Sequence, residues 1–248
     1  MSRRAICLLA AALVGLTACP DDGPETPPSA GPATGSVVSP PPGVPDPKLV
    51  PVGTLLREGA TPDAVLYGEL NGVAPEEIVV QSSIPAQDPT LPPPPYLEAF
   101  AWDPAEDTWL RVFDASTYED PAIRPGTILA AAETIGQSVP FLQLIDFAED
   151  GTPELAVGVQ SYGAALGPLD LWILSWPSEA FAVEFTRSTH RGGQLSFAGR
   201  RVTLEAGLYA PDDPGCCPSR IETVVVGWDP ETERIVVLER TEREAPEG

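Results

Sequence analysis

The sequence predicts an all-β, mainly antiparallel fold of blade-like hairpin repeats with little helix. Three observations point there. From about residue 49 onward, short runs rich in Val, Ile, Leu, Phe and Trp alternate with Gly, Pro, Asn and Asp, the pattern of strands and turns. A hairpin pattern recurs: Glu98–Phe113 (EAFAWDPAEDTWLRVF) aligns with Thr223–Leu238 (TVVVGWDPETERIVVL) to within one residue at the start. An acidic turn running into a strand also occurs twice, as Glu69–Val80 (ELNGVAPEEIVV) and Asp146–Gly158 (DFAEDGTPELAVG). Such self-similarity marks a repeat architecture. A body of about 195 residues suffices for three or four four-stranded blades, a small or incomplete propeller. A compact sandwich or open barrel of the same hairpins is the alternative.

The chain begins with a secretion-signal pattern over residues 1–18. Arg3 and Arg4 supply the positive region and Ala5–Leu16 the apolar one. That run is too short to span a bilayer, which takes about 20 apolar residues. It ends Leu16-Thr17-Ala18-Cys19, which resembles the lipobox of bacterial lipoproteins, a Leu three residues before the Cys with small residues between. The resemblance implies cleavage before Cys19, lipidation of its thiol, and a place in the bacterial envelope on the extracytoplasmic side. Acyl chains contribute roughly 0.8 kcal/mol per buried CH2, so two or three would anchor the protein without spanning the membrane.

Residues 19–48 read as the lipidated Cys and a tether. Ten of the 29 residues from 20 to 48 are Pro, and the others are mostly small or acidic. Too little apolar surface is present to offset ordering entropy, so a disordered spacer of polyproline-II character is expected. Residues 49–248 form a single β-repeat domain with a short acidic C-terminal tail, large enough for its own core.

The chain after the signal is strongly acidic. Removing Arg3 and Arg4 from 14 Lys+Arg leaves 12, against 36 Asp+Glu, a formal charge of −24. Nucleic acid is excluded as a ligand by this balance, because phosphate binding needs a basic face. The charge serves solubility in the first instance. It would also repel an anionic membrane surface, so attachment falls to the lipid.

Within the body, the Asp-Pro turns at Asp103 and Asp229 have a defined physics. Pro sets φ near −65° at the second turn position, and the preceding Asp accepts backbone N–H groups. Leu169–Phe185 reads as a third hairpin turning at Trp176-Pro177, and Gln194–Ala198 with Arg201–Leu208 as a fourth about Gly199. Thr127–Gln137 suits a short strand or a helix, with the strand preferred by its neighbours. The five Trp fall on or beside hairpins, where packing between sheets is their default role.

The acidic turns resemble the loops of FG-GAP and VCBS-like repeats, which read roughly Asp-x-Asx-x-Asp-Gly-x-x-Glu-[Leu/Ile]-x-Val. The resemblance implies propeller-blade loops and Ca2+ binding, since a hard cation takes six to eight oxygens at about 2.3–2.6 Å. The second copy keeps Asp146, Asp150, Gly151 and Glu154 but has Ala148 at the third position. The first keeps Glu69, Asn71 and Glu77 but has Val73 and Ala74 in place of Asp-Gly. Asp146, Asp150 and Glu154 are therefore the candidate Ca2+ ligands; the competing role is capping of the turn's own N–H groups.

Asp212–Ser219 (DDPGCCPS) is similar to a segment of bacterial surface proteins that include LppP/LprE-type lipoproteins, which implies no activity. Outside the cytoplasm Cys216 and Cys217 can join each other, join another molecule or stay free; a strained vicinal disulfide stiffening the loop is the expectation. His190, the single histidine, lies among polar turn residues, with no Gly-x-Ser-x-Gly elbow and no partner ligands for zinc. No catalytic constellation is visible.

The function expected is a non-catalytic, membrane-anchored lipoprotein presenting its loops to an envelope or extracellular protein or glycan. A hydrolase or sugar-active enzyme using Asp146, Asp150 or Glu154 is the alternative, with a Ca2+-stabilised adhesive module as a third class. Turn carboxylates bonded to their own backbone favour the binding or structural reading over catalysis.

Overall fold

The computed structural model describes residues 43–85, 93–117, 128–129, 136–162, 166–177, 180–214 and 217–246. Among them are twelve strands in three four-stranded antiparallel meanders. Sheet 1 holds β1 (Thr61–Gly68), β2 (Glu77–Ser83), β3 (Pro95–Asp103) and β4 (Thr108–Asp114). Sheet 2 holds β5 (Gly136–Ile145), β6 (Glu154–Tyr162), β7 (Leu166–Ser175) and β8 (Ala182–Ser188). Sheet 3 holds β9 (Gln194–Ala198), β10 (Arg201–Leu208), β11 (Arg220–Asp229) and β12 (Arg234–Glu244). Chain order is spatial order in every sheet, and none closes on itself. The fold is thus all-β and blade-like, as the alternating patterns predict. Of Thr127–Gln137, Ile128 and Leu129 are buried bends and Gly136 and Gln137 open β5; the others lie outside the described residues. So do residues 1–42, with the signal, Cys19 and most of the tether.

The repeats are visible in the registers. Gly68 pairs with Glu77 in sheet 1 and Ile145 with Glu154 in sheet 2, so both acidic turns connect first and second strands over the same span. Between third and fourth strands, Trp102 faces Trp109 and Trp228 faces Ile235. Asp103 accepts from the N–H of Ala105 (2.8 Å) and Asp229 from that of Glu231 (3.0 Å), and Asp107 and Glu233 both take positive φ four residues on. A bulge recurs on every fourth strand, where Val112, Glu184 and Leu238 are skipped in the pairing. Bulges bend the strand that carries them and sharpen its local twist.

The sheets stack in chain order. Val79, Leu97, Ala99 and Phe113 of sheet 1 pack on Leu155, Val157 and Val159 of sheet 2 and on Trp176, just past the end of β7. The opposite face of sheet 2, with Phe141, Ala156, Leu171 and Ile173, packs on Val202, Leu204, Val224 and Val226 of sheet 3. Sheet 2 is therefore covered on both sides. That explains why β6 is buried without interruption from Glu154 to Gln160 and lacks the hydrophobic–polar alternation of a half-exposed strand. Gly158 makes the second contact tight: a Cβ there would lie 2.4 Å from Leu195 Cδ1 and 2.9 Å from Phe141 Cβ.

The ends of the stack are treated differently. Val50, Val52, Leu55 and Leu56, around the 3-10 turns Pro47–Leu49 and Val52–Thr54, cover Ile78, Val80 and Phe100 on the outer face of sheet 1. The packed body reaches back to Pro47, which is buried, and to Lys48, which pairs with Glu76 at 2.8 Å. The outer face of sheet 3 instead carries Thr203, Glu205, Thr223 and Val225, with an Arg243–Glu205 ion pair at 2.5 Å. A polar outer face ends a stack without inviting another layer.

Candidate functional site

The acidic turns share one internal design. Glu77 accepts the backbone N–H of Leu70 at 2.7 Å, and Glu154 accepts that of Phe147 at 3.1 Å, each seven residues upstream. Leu70 and Phe147 are fully buried anchors, and both glutamates are buried with them. Burial pushes each carboxyl up to about 7, although the backbone N–H bonds act in the opposite direction. Neighbouring Asp150 and Asp146 raise Glu154 further, and Glu69 does the same for Glu77.

Asp146 spends both oxygens on the turn, accepting from the N–H groups of Asp150 (3.1 Å) and Gly151 (2.9 Å). Asp150 accepts from the N–H of Thr152 at 2.8 Å, and Asn71 closes the first turn on Val73 at 2.7 Å. Glu149 and Gly151 take the left-handed conformation that the turn requires, with φ of 61° and 92°. Asp146, Asp150 and Glu154 thus share one loop, and each is bonded to that loop's backbone. Among the described residues no group of three or more His, Cys, Asp or Glu is arranged to hold a metal ion.

In sheet 3 the equivalent connection is the tight Gly199-Arg200 turn between β9 and β10, with Gly199 at φ 59°. Arg200 reaches back to the acidic turn of sheet 2, pairing with Glu149 at 2.8 Å and donating to the Phe147 carbonyl at 3.4 Å. Phe147, Ala148 and Glu149 with Gly199, Arg200, Arg201, Trp228, Pro230 and Leu238 enclose a groove of about 780 Å³. The corresponding space between the turns of sheets 1 and 2, lined by Asn71, Asp150, Thr152, Glu154 and Trp176, is about 270 Å³.

Two buried glutamates were not singled out from the sequence. Glu98, fully buried on β3, is held by Arg57 (2.9 Å) and Arg111 (2.7 Å). Glu222, on β11, is held by Arg187 (2.7 Å) and Arg240 (2.5 Å). In both cases one Arg comes from the sheet's own fourth strand and the other from the layer stacked beneath. Arg57 also lies 3.9 Å over the Tyr96 ring and bonds Asp114 at 2.9 Å. Burial acts against ionisation of Asp114, but the Ser116 hydrogen bonds and the Arg57 charge hold its carboxyl below the usual value.

In the Cys-Cys loop, Asp213 accepts from the N–H groups of Ala210 (2.7 Å) and Ser219 (2.8 Å), which hold its carboxyl low. Cys217 is exposed and its N–H donates to the Pro214 carbonyl at 3.0 Å. Cys216 lies outside the described residues, and with it the bonding of the pair. His190 is exposed, edge-on to Tyr209 at 6.4 Å between ring centres. Trp176 stacks on Phe181 at 5.1 Å in the core between sheets 1 and 2, and Trp172 and Trp228 pack against the two inter-sheet cores.

Arg200 and Arg201 are the groove residues that sequence reasoning passed over. A signal was present: they stand where the third repeat should carry its acidic turn. The chain matches no protein-family model, and no curated protein matches it.

Proposed function

We propose that this is a lipid-anchored protein of the bacterial envelope whose β-repeat body is a non-catalytic binding or structural domain. The bonding of the acidic-turn carboxylates carries this reading. A glycosidase or related hydrolase needs a pair of carboxyls presented to substrate across a cleft. Asp146, Asp150 and Glu154 instead accept N–H groups of their own turn, and Glu77 does so in the first repeat. Anchoring is supported by the Leu16–Cys19 pattern and by the Pro-rich stretch that follows it. A chain that carries −24 after the signal gains nothing from an anionic lipid surface, so acyl chains must supply the attachment.

The test is metabolic labelling of the full chain, expressed in a bacterium, with a clickable palmitate analogue. Wild type should carry label and sediment with membranes. Cys19→Ser should lose the label and leave the membrane fraction. Equal labelling of the two would refute the anchor.

A further inference from the structure

We propose that Asn71, in the acidic turn of sheet 1, is a site of self-modification by the chain. The Gly72 amide nitrogen attacks the Asn71 side-chain amide, ammonia leaves, and water opens the resulting succinimide to an aspartyl or isoaspartyl linkage. Asn71 is the single asparagine of the 248 residues, and glycine follows it. Glycine lacks the Cβ that would hinder approach of its nitrogen to the neighbouring side chain. The atoms balance with water as the other reactant. A bond forms between Gly72 N and Asn71 Cγ, the Cγ–NH2 bond breaks, and ammonia departs with the proton of the Gly72 N–H. Water then adds at Cγ, which restores the normal chain and leaves a side-chain carboxylate, or at the Asn71 main-chain carbonyl, which routes the chain through Cγ.

The turn favours this reaction at Asn71. Asn71 Oδ1 accepts the Val73 N–H at 2.7 Å, so a donor already points at the oxygen on which charge develops when Cγ is attacked. The attacking nitrogen is loosely held: the Gly72 N–H reaches the Glu69 carbonyl at 3.3 Å, beyond the ordinary range. Gly72 is exposed, and a Cβ there would meet only Thr152 Oγ1, at 3.5 Å, so water reaches the turn. The second acidic turn carries a similar dipeptide, Asp150-Gly151, with Asp150 Oδ1 accepting the Thr152 N–H at 2.8 Å. There the Asp146 carboxylate clamps the Gly151 N–H at 2.9 Å, where the first turn offers the long bond to Glu69. The two turns therefore differ in the freedom of the nitrogen that has to move.

The product alters the junction between the first two repeats. Asn71 lines the space of about 270 Å³ together with Asp150 and Glu154, so either product adds a negative charge to a wall that already carries two carboxyls. Like charges held together oppose one another. Asn71 also lies inside the loop that Glu77 closes on the Leu70 N–H. The isoaspartyl form inserts an extra methylene into the main chain between Leu70 and Glu77, and that loosens the closure. The acidic turn of sheet 1 is thus weakened with the age of the molecule.

The experiment incubates the full chain, purified in detergent, and follows released ammonia and the mass of the peptide that contains Asn71. Conversion of amide to acid is expected there, faster in mildly alkaline than in mildly acidic buffer, because the Gly72 nitrogen must lose its proton. The folded chain should react at least as fast as the chain unfolded in urea. Asp150→Asn places the same dipeptide under the Asp146 clamp, and its amide should convert about tenfold more slowly than Asn71, the rate equivalent of one hydrogen bond. Aged protein should unfold at a lower urea midpoint than fresh protein, and Asn71→Gln should lose none on ageing. An intact Asn71 in the folded chain while the unfolded chain reacts, or equal rates at the two turns, would overturn the assignment. An equal midpoint loss in Asn71→Gln would overturn the weakening of the turn. Each of these results leaves the lipid-anchor reading standing.

Discussion

The Glu154 carboxylate closes its turn on the backbone N–H of Phe147, at 3.1 Å, inside the protein. Glu77 does the same to Leu70 at 2.7 Å. A carboxyl so placed couples the turn to proton binding, because burial favours its neutral form while the N–H favours its charged form.

Stability should therefore respond to mild acid. Both carboxyls stand at about 7 when folded, against 4.5 ordinarily. Between those values the folded state holds protons that the unfolded state has released, so stability rises as pH falls from 7 towards 4.5. Urea unfolding should show a higher midpoint at pH 5 than at pH 7.5. The difference should shrink in the Glu77→Gln, Glu154→Gln double variant; an undiminished pH response there would place its origin elsewhere.

Asp146→Ala should cost about 1–2 kcal/mol, because it removes the acceptor of two turn N–H groups. Since Asp146 and Asp150 are bonded to the turn backbone, the thermal midpoint should be the same in excess EDTA and in millimolar Ca2+. A rise of several degrees with Ca2+, abolished by Asp150→Ala, would instead make this loop a cation site.

Arg57→Ala should destabilise by about 2–4 kcal/mol. It leaves the fully buried Glu98 with a single cation, and Arg57 itself is 26% exposed, which tempers the loss. The damage should be local at first: hydrogen exchange over residues 50–57 should rise before that of β6. Arg243→Ala, which breaks a surface pair with Glu205, should cost under about 1 kcal/mol. Similar losses for the two variants would deny the Glu98 network its role.

Gly158→Ala should cost about 1–3 kcal/mol through overpacking. The added methyl meets Leu195 Cδ1 at 2.4 Å and Phe141 Cβ at 2.9 Å between sheets 2 and 3. Gly151→Ala adds a methyl in open space, so its cost comes only from holding φ at 92°. Combining Gly158→Ala with Leu195→Ala should recover part of the loss, as read by denaturant midpoints; no recovery would mean that the steric account is wrong.

What the sequence by itself determined was the repeating unit. Its rules are local: Asp103 and Asp229 cap N–H groups two residues away, and Glu77 and Glu154 reach seven residues back. Apolar alternation and Asp-Pro turns act within one hairpin, so they can be read without knowing what lies opposite. Only the tertiary structure decided how the sheets stack and what that stacking buries. Arg57 meets Glu98 across 41 residues and Arg187 meets Glu222 across 35. Arg200 crosses to the acidic turn of the preceding sheet and pairs there with Glu149, 51 positions upstream. Desolvation and long-range pairing depend on which faces meet, and no run of neighbouring residues encodes that.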